Sequence, residues 1–270
     1  MEFKEKEYDG PYEVARVEIN NQNQIMRGIL YFPPKNFKKP YPLIIYFHGF
    51  LQLFSLEEIV KNYQYLLDSG YAFLSFNFRG YKFSEGEISI KSHVSDSYKL
   101  MDFVEKMAKQ DIFTLKDINI ISYDFGSYIT LLLCSKVKFI NKILLISPIL
   151  DLERHIYDIE FKKALDYINR YLPGYVRGIE NIDAFIQMTK KELSKKEFHL
   201  QKAISRLNNE KLKVISGDHD KITPLSEVKM FLNKSNLKPE LIIIDSMDHE
   251  SIFDDEIEEI KKEIEKFFIK

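Results

Sequence analysis

Ile118–Asn119–Ile120–Ile121–Ser122–Tyr123–Asp124–Phe125–Gly126–Ser127–Tyr128–Ile129 is the stretch on which the reading of this chain turns. A β-branched apolar run stops, small residues follow, and an apolar segment of helical character begins. That pattern spells strand, tight turn and helix. Asp124 stands at the turn, with Ser122 before it and Gly126 and Ser127 after it. Where a strand and a helix pass that closely, the flanking positions cannot carry bulk, and the central side chain is pushed outward from a strained backbone. Asp accepts a positive φ better than most residues. The ordinary account of an Asp ahead of a helix is the N-cap, whose oxygen accepts from the free N–H groups of the first turn. Taken alone, the stretch favours the cap; its company changes that balance.

The chain of 270 residues is long enough to bury a sizeable core, as one large domain or one domain with an insertion. A net charge of -2, with lysine and glutamate interspersed, leaves no basic footprint for nucleic acid or an acidic membrane. The single cysteine, Cys134, excludes an internal disulfide framework and fits a reducing compartment. Its neighbours Leu131, Leu132 and Leu133 make it a buried structural thiol. The first residues, Met1 to Lys6, lack the apolar core of a signal peptide, and no apolar stretch reaches the length of a membrane span. A soluble cytoplasmic protein is expected.

Outward from the turn, polar signals recur after apolar runs. Val14–Ile19 and Ile25–Phe32 read as an antiparallel hairpin at a sheet edge. Leu43–Phe47 is a continuous apolar run, as in a strand buried on both faces, and it delivers His48–Gly49–Phe50. Ser55 to Glu58 opens a helix with capping character that runs to Leu67. Tyr71–Asn77 is the next strand, followed by a loop and a helix from Ser92 to Lys109. Asp117–Ile121 feeds the turn, Gly126–Ser135 is its helix, and Ile143–Ile146 is another buried strand. From Leu150 to Asn209 charged and aromatic residues mix at helical spacing, so 150–209 reads as a helical insertion between 1–149 and 210–270. Leu212–Ser216 returns to strand and is followed by Gly217–Asp218–His219–Asp220. Pro224–Leu232 is helical, Leu241–Ile244 is the last strand, Asp248–His249 follows it, and Glu256–Phe268 is a closing helix. Alternating strands and helices imply a mostly parallel α/β sheet, with ligands at the carboxyl ends of its strands. The 150–209 insertion is expected to cap those ends. His48–Gly49, Asp124, Asp220 and His249 all fall there.

On Tyr46–Phe47–His48–Gly49–Phe50, Phe78–Arg79–Gly80 with Ser84–Glu85–Gly86, the Asp124 turn, Gly217–Asp220 with Pro224, and Asp248–His249, the sequence resembles the α/β-hydrolase superfamily over nearly its whole length. The Arg-Gly and Ser-Glu-Gly loop is most similar to the branch of serine esterases, monoacylglycerol-lipase-like enzymes and S33-type peptidases. That branch places Ser where Asp124 stands; epoxide hydrolases and haloalkane dehalogenases place Asp there. Epoxide hydrolases usually follow His-Gly with x-Pro, and Phe50–Leu51 departs from that. Dehalogenases hold halide with tryptophan, which this chain lacks.

The resemblance implies an α/β-hydrolase fold and a triad of Asp124, His249 and Asp220. Asp124 would be the nucleophile at the elbow, ionised at neutral pH without a base to activate it. Its attack on an sp³ carbon, such as that of an epoxide, gives an enzyme ester, whereas attack on a carboxylic ester gives a high-energy mixed anhydride. His249 would activate water against the ester, and Asp220 would orient His249. Asp218 competes for that last role, and the family spacing to Pro224 selects Asp220. The backbone N–H groups of Phe50 and Phe125 would form the oxyanion hole, and His48 would shape its loop. Epoxide hydrolases donate to the epoxide oxygen from lid tyrosines; Tyr157, Tyr167, Tyr171 and Tyr175 lie in the insertion but read first as packing residues. No metal-ligand spacing is present, His219 belonging to a turn, and no cofactor is expected. The partner is a small-molecule substrate. A non-catalytic, ligand-binding descendant of an esterase is the alternative.

Overall fold

The computed structural model describes residues 7–50, 52–204, 207, 211–235, 237–251 and 258–269. In chain order its elements are β1 (Glu7–Asp9), β2 (Tyr12–Asn21), β3 (Gln24–Tyr31), β4 (Tyr41–Phe47), α1 (Leu56–Asn62), α2 (Gln64–Asp68), β5 (Ala72–Asn77), α3 (Ile90–Ala108), β6 (Phe113–Tyr123), α4 (Phe125–Cys134) and β7 (Ile140–Ile146). Then follow α5 (Leu152–His155), α6 (Ile159–Tyr171), α7 (Ile182–Leu193), a 3₁₀ turn at Lys196–Phe198, α8 (Leu200–Ile204), β8 (Leu212–Gly217), α9 (Leu225–Lys234), β9 (Glu240–Ile244) and α10 (Glu258–Phe268). The strands form one sheet in the order β1-β2-β3-β5-β4-β6-β7-β8-β9. β1, β2 and β3 pair antiparallel, β3 pairs antiparallel with β5, and the strands from β5 through β9 are parallel.

The continuous apolar runs explain the layering. In β4, Leu43, Ile45 and Phe47 belong to one core cluster, while Ile44 and Tyr46 belong to the other. α3 and α4 cover the first face with Leu100, Val104, Ile129 and Leu133. α1, α2 and α10 cover the second with Val60, Leu66, Ile264 and Phe268. A strand period of two thus serves both faces, so nearly every position of a central strand is apolar. Polar residues are few inside these strands, Ser75, Asn119 and Lys213 being buried examples, and they gather at the strand ends.

Three expectations need correction. The Val14–Ile19 hairpin is not at the edge: β1 lies outside it, three exposed residues whose short polar sequence carries no strand period. The helix expected from Ser55 to Leu67 is two, because Tyr63 leaves helical backbone and its ring stacks on Phe73 at 5.3 Å. α3 starts before Ser92, which is not its first residue but the N3 partner of Ser89 in a reciprocal cap. Of the closing helix, Glu256 lies outside the described residues, and so do 205, 206 and 208–209 of the insertion. Among the described residues, 150–204 contain helices and no strand. This segment docks on the loop after β5, where Lys82 N–H donates to Tyr175 O (2.8 Å) and Arg177 N–H to Gly80 O (2.8 Å). The Arg79 side chain anchors the start of that loop, paired with Asp96 at 2.6 Å in a fully buried ion pair.

At the turn after β6, Asp124 has φ 51 and ψ -123, and its side chain makes no cap bond to α4. The N-cap account therefore fails, and the strained-turn account holds. Backbone in such a region costs about 1–3 kcal/mol and persists only where its surroundings impose it. Here they do: a Cβ on Gly126 would lie 2.2 Å from Phe47 O and 2.5 Å from His48 O. Ser122 and Ser127 meet at 3.2 Å between hydroxyls, which explains why both must be small. Gly126→Ala should therefore cost about 2–3 kcal/mol or more in urea unfolding, since backbone carbonyls cannot rotate away as a side chain can. A loss under about 0.5 kcal/mol, the range of a neutral surface change, would show that the close approach does not constrain the turn.

Candidate active site

β6 and β4 deliver the centre of the site side by side. The strained turn lifts the Asp124 carboxylate toward the loop after β4, and Phe50 N–H donates to Asp124 Oδ2 at 2.7 Å. Gly49 makes room for this contact, because a Cβ there would lie 2.7 Å from the same oxygen. His48 holds the loop: its Nδ1–H donates to Gly49 O (2.8 Å) and its Nε2 accepts from Phe78 N–H (3.2 Å). Burial pushes this imidazole down to about 4, against the pull of the Gly49 carbonyl, so it stands neutral and can serve both bonds. The expected loop-shaping part of His48 is therefore visible in its bonds. Phe125 opens α4, and its N–H is among the first-turn donors that have no partner within a helix.

The loops after β8 and β9 bring the other two groups. His249 Nε2 lies 3.6 Å from Asp124 Oδ1, and its Nδ1 lies 2.9 Å from Asp220 Oδ2. Asp220 is held in turn by Ile222 N–H (2.9 Å) and Thr223 N–H (2.7 Å) on Oδ1, and by the Thr223 hydroxyl (2.6 Å) on Oδ2. Asp218, the rival, is exposed and accepts from Ser246 N–H, away from His249. Tyr123 donates its hydroxyl to His249 O at 2.8 Å and fixes the backbone of the loop. Thr223 and Tyr123 were not singled out from the sequence. The Thr-Pro pair before α9 was a usable signal for the first; nothing local marks the second.

The electrostatics follow from this sandwich. Burial alone would lower His249, but the hydrogen-bonding carboxylates of Asp124 and Asp220 outweigh it and raise it to about 10. Burial would likewise raise Asp220; His249 and Thr223 prevail and hold it at about 2. An imidazolium between two carboxylates is the resting state. Asp124 Oδ1, in contrast to Oδ2, has only the longer 3.6 Å contact to the His249 imidazolium.

Phe50 and Phe125, which flank the Asp124 carboxylate, also bound a small apolar cavity of about 30 Å³ together with Ile149, Leu152, His155, Phe161 and others. A larger cavity of about 320 Å³ adjoins it along Ile149, Leu152 and His155 and runs past Thr223 toward α9. The insertion tyrosines do not enter the site. Tyr157, Tyr167 and Tyr171 are exposed by more than half, and Tyr175 donates its hydroxyl to Leu53 O. Among the described residues, no three His, Cys, Asp or Glu side chains converge as metal ligands, and no helix is long and apolar enough to cross a membrane.

The sequence pattern described as the alpha/beta hydrolase fold matches residues 42–187, more than half of the chain. This protein belongs to the alpha/beta hydrolase fold family. No curated protein matches it significantly. Among solved structures, Est1E from Butyrivibrio proteoclasticus is 17% identical, covers 93% of this chain and 96% of its own, and has a TM-score of 0.69. The Pyrococcus furiosus esterase Pf2001 is 18% identical, with 95% and 90% covered and a TM-score of 0.68. A hypothetical protein of Pseudomonas aeruginosa, PA2218, is 12% identical, with 96% and 94% covered and a TM-score of 0.69. At these identities the likeness is one of fold, and it extends over the full alpha/beta hydrolase architecture.

One consequence of the sandwich is measurable. In Asp124→Asn the imidazole loses one of its two flanking charges, so its pKa should fall from about 10 by more than a unit in an NMR titration. An unchanged or higher pKa in the variant would mean that Asp124 does not act on His249.

Proposed function

We propose that this chain is a hydrolase that works through a covalent ester on Asp124, with His249 as the base that admits water and Asp220 as its orienting partner. The observation that carries this reading is the inequality of the two Asp124 oxygens. Oδ2 is tied to Phe50 N–H at 2.7 Å, while Oδ1 meets only His249 Nε2, at the longer distance of 3.6 Å. A carboxylate so arranged has one lone pair set free for attack, and its other oxygen already rests in the oxyanion hole.

The two steps use the same groups in turn. Oδ1 displaces a leaving group from an sp³ carbon, and Oδ2 becomes the ester carbonyl oxygen. Esterification removes the charge beside His249 Nε2, so the imidazolium loses part of what held its proton, releases that proton to solvent and becomes a base where one is needed. Water, deprotonated at Nε2, then adds to the ester carbon. The negative charge develops on Oδ2, where Phe50 N–H, joined by Phe125 N–H, stabilises it. Collapse then breaks the bond from the Asp124 carboxyl carbon to Oδ1, which leaves in the product and takes the proton that Nε2 had accepted from water. A small epoxide-like or activated alkyl substrate suits this chemistry and the small apolar cavity. Attack on a carboxylic ester would stop at a mixed anhydride, so ordinary esterase turnover is disfavoured despite the esterase neighbours. Residues 150–209 act as the cap on the site, and the buried Cys134 supports a reducing compartment.

A second reading is an esterase scaffold in which Asp replaced Ser and left a ligand-binding or impaired site. It is favoured by one observation, that the Asp124 carboxylate itself occupies the donor meant for a substrate oxyanion.

A single turnover in heavy-oxygen water, with enzyme in excess, separates the two. Covalent catalysis puts the label into Asp124 in the first turnover and into product only later. His249→Gln should block the second step, leaving the Asp124 peptide heavier by the substrate's mass. Label passing straight into product, with Asp124 unlabelled, would refute the nucleophile assignment.

The scaffold reading has its own check. Asp124→Ser should then hydrolyse short p-nitrophenyl esters about 100-fold faster than the parent, because the oxyanion donors and His249 already stand in place. A folded variant with no gain would count against that reading.

A further inference from the structure

Displacement at carbon is in line, so the leaving oxygen departs on the side away from Asp124, toward the cap. An alkoxide leaving from an epoxide is strongly basic and needs a donor there; in an apolar pocket, water is not at hand to serve. The tyrosines of the insertion are turned elsewhere, as their exposure and the Tyr175 bond to Leu53 show. Among the described residues lining the small cavity, His155 is the one ionisable side chain. It also lines the larger cavity, so it stands at the boundary between the apolar pocket and the wider space beyond.

We propose that His155, at the end of α5, donates a hydrogen bond and a proton to the oxygen that leaves carbon when Asp124 attacks. This role rests on the covalent Asp124 reading. α5 is capped by Asp151, whose side chain accepts from Arg154 N–H at 3.0 Å, and the His155 ring packs on Phe161 at 4.8 Å. Phe161 packs in turn on Phe50 at 5.2 Å, so the imidazole is braced against the loop that holds the Asp124 carboxylate. Burial lowers the His155 pKa, while the charge of Asp124 pulls it up and that of His249 pushes it down; Asp158 and Arg154 act in the same opposed way more weakly. The imidazole is therefore neutral near pH 7, with one N–H to give and one nitrogen to receive.

The step balances. The bond from Asp124 Oδ1 to carbon forms, the carbon–oxygen bond of the oxirane breaks, and its electron pair stays on oxygen. That oxygen takes the proton of one imidazole nitrogen while the other nitrogen takes a proton from water on the side of the larger cavity, so no imidazolate forms. The hydroxide left behind is neutralised by the proton that His249 sheds when Asp124 is esterified. When the ester is later hydrolysed, the regenerated Asp124 carboxylic acid gives its proton to His249, which restores the resting imidazolium.

The test compares leaving groups that do and do not need a proton. In the His249→Gln protein, which holds the ester, the rate of Asp124 alkylation by propylene oxide and by propyl bromide is followed by peptide mass. Adding His155→Phe, which keeps the stacking on Phe161, should lower the ratio of the oxide rate to the bromide rate about 100-fold. His155→Gln, which keeps an N–H donor, should recover part of that loss. A purely packing role would slow both reagents together, so an unchanged ratio in His155→Phe overturns the role of His155 and leaves the covalent reading standing. Absence of alkylation by either reagent in the His249→Gln protein overturns the covalent reading, and the role of His155 with it.

Discussion

The contact between Phe50 N–H and the Asp124 carboxylate is the constraint from which the site follows. It requires that the turn after β6 hold Asp124 at φ 51, that Gly49 lack a side chain, and that Gly126 let α4 pass against the end of β4. Each condition is unfavourable or restrictive alone. Together they are imposed by two parallel neighbours in the sheet, β4 and β6, whose registers set Phe47 opposite Ser122. The sheet's rigidity is what maintains the strain, since buried strands covered on both faces have no room to relax it.

The same contact distinguishes one carboxylate oxygen from the other, and the rest of the electrostatics acts on that difference. His249 is placed beside the free oxygen and between two anions, in surroundings dry enough for both to act strongly on its pKa. Such a pair of carboxylates around one imidazole favours the imidazolium so long as both are charged. Neutralising Asp124 would therefore act on His249 without any conformational change, because removing one neighbouring charge alters the proton affinity of the imidazole. Thr223 and the two N–H groups on Asp220 keep the opposite anion ionised throughout.

The solved structures most similar in shape include esterases, yet their likeness at under 20% identity concerns the scaffold. In this chain the scaffold places a buried turn residue, Asp124, beside the Phe50 N–H and His249 at the strand ends. What the turn residue does is a matter of its own chemistry. A carboxylate is a resting nucleophile toward alkyl carbon and a poor one toward an acyl group, so under the covalent reading proposed above Asp124 redirects the site with its framework retained.

Much of this was legible in the sequence. Continuous apolar runs such as Leu43–Phe47 carry the signal of strands covered on both faces, and the small residues around Asp124 carry the signal of a close strand–helix crossing. These are local packing constraints, so they leave a local trace, and the order of Asp124, Asp220 and His249 placed all three at strand ends. The exposed strand β1 and the break at Tyr63 left no such trace: one has no buried face, and the other depends on Phe73 across the fold. Whether Asp124 caps α4 or reaches Phe50 was likewise open, since both accounts predict the same residues; only the turn's backbone angles and the position of the neighbouring strand decide it. The placing of His155 over the pocket and of the insertion tyrosines away from it was decided by tertiary structure alone, because the path of short amphipathic helices across strand ends depends on what they pack against, not on their own period.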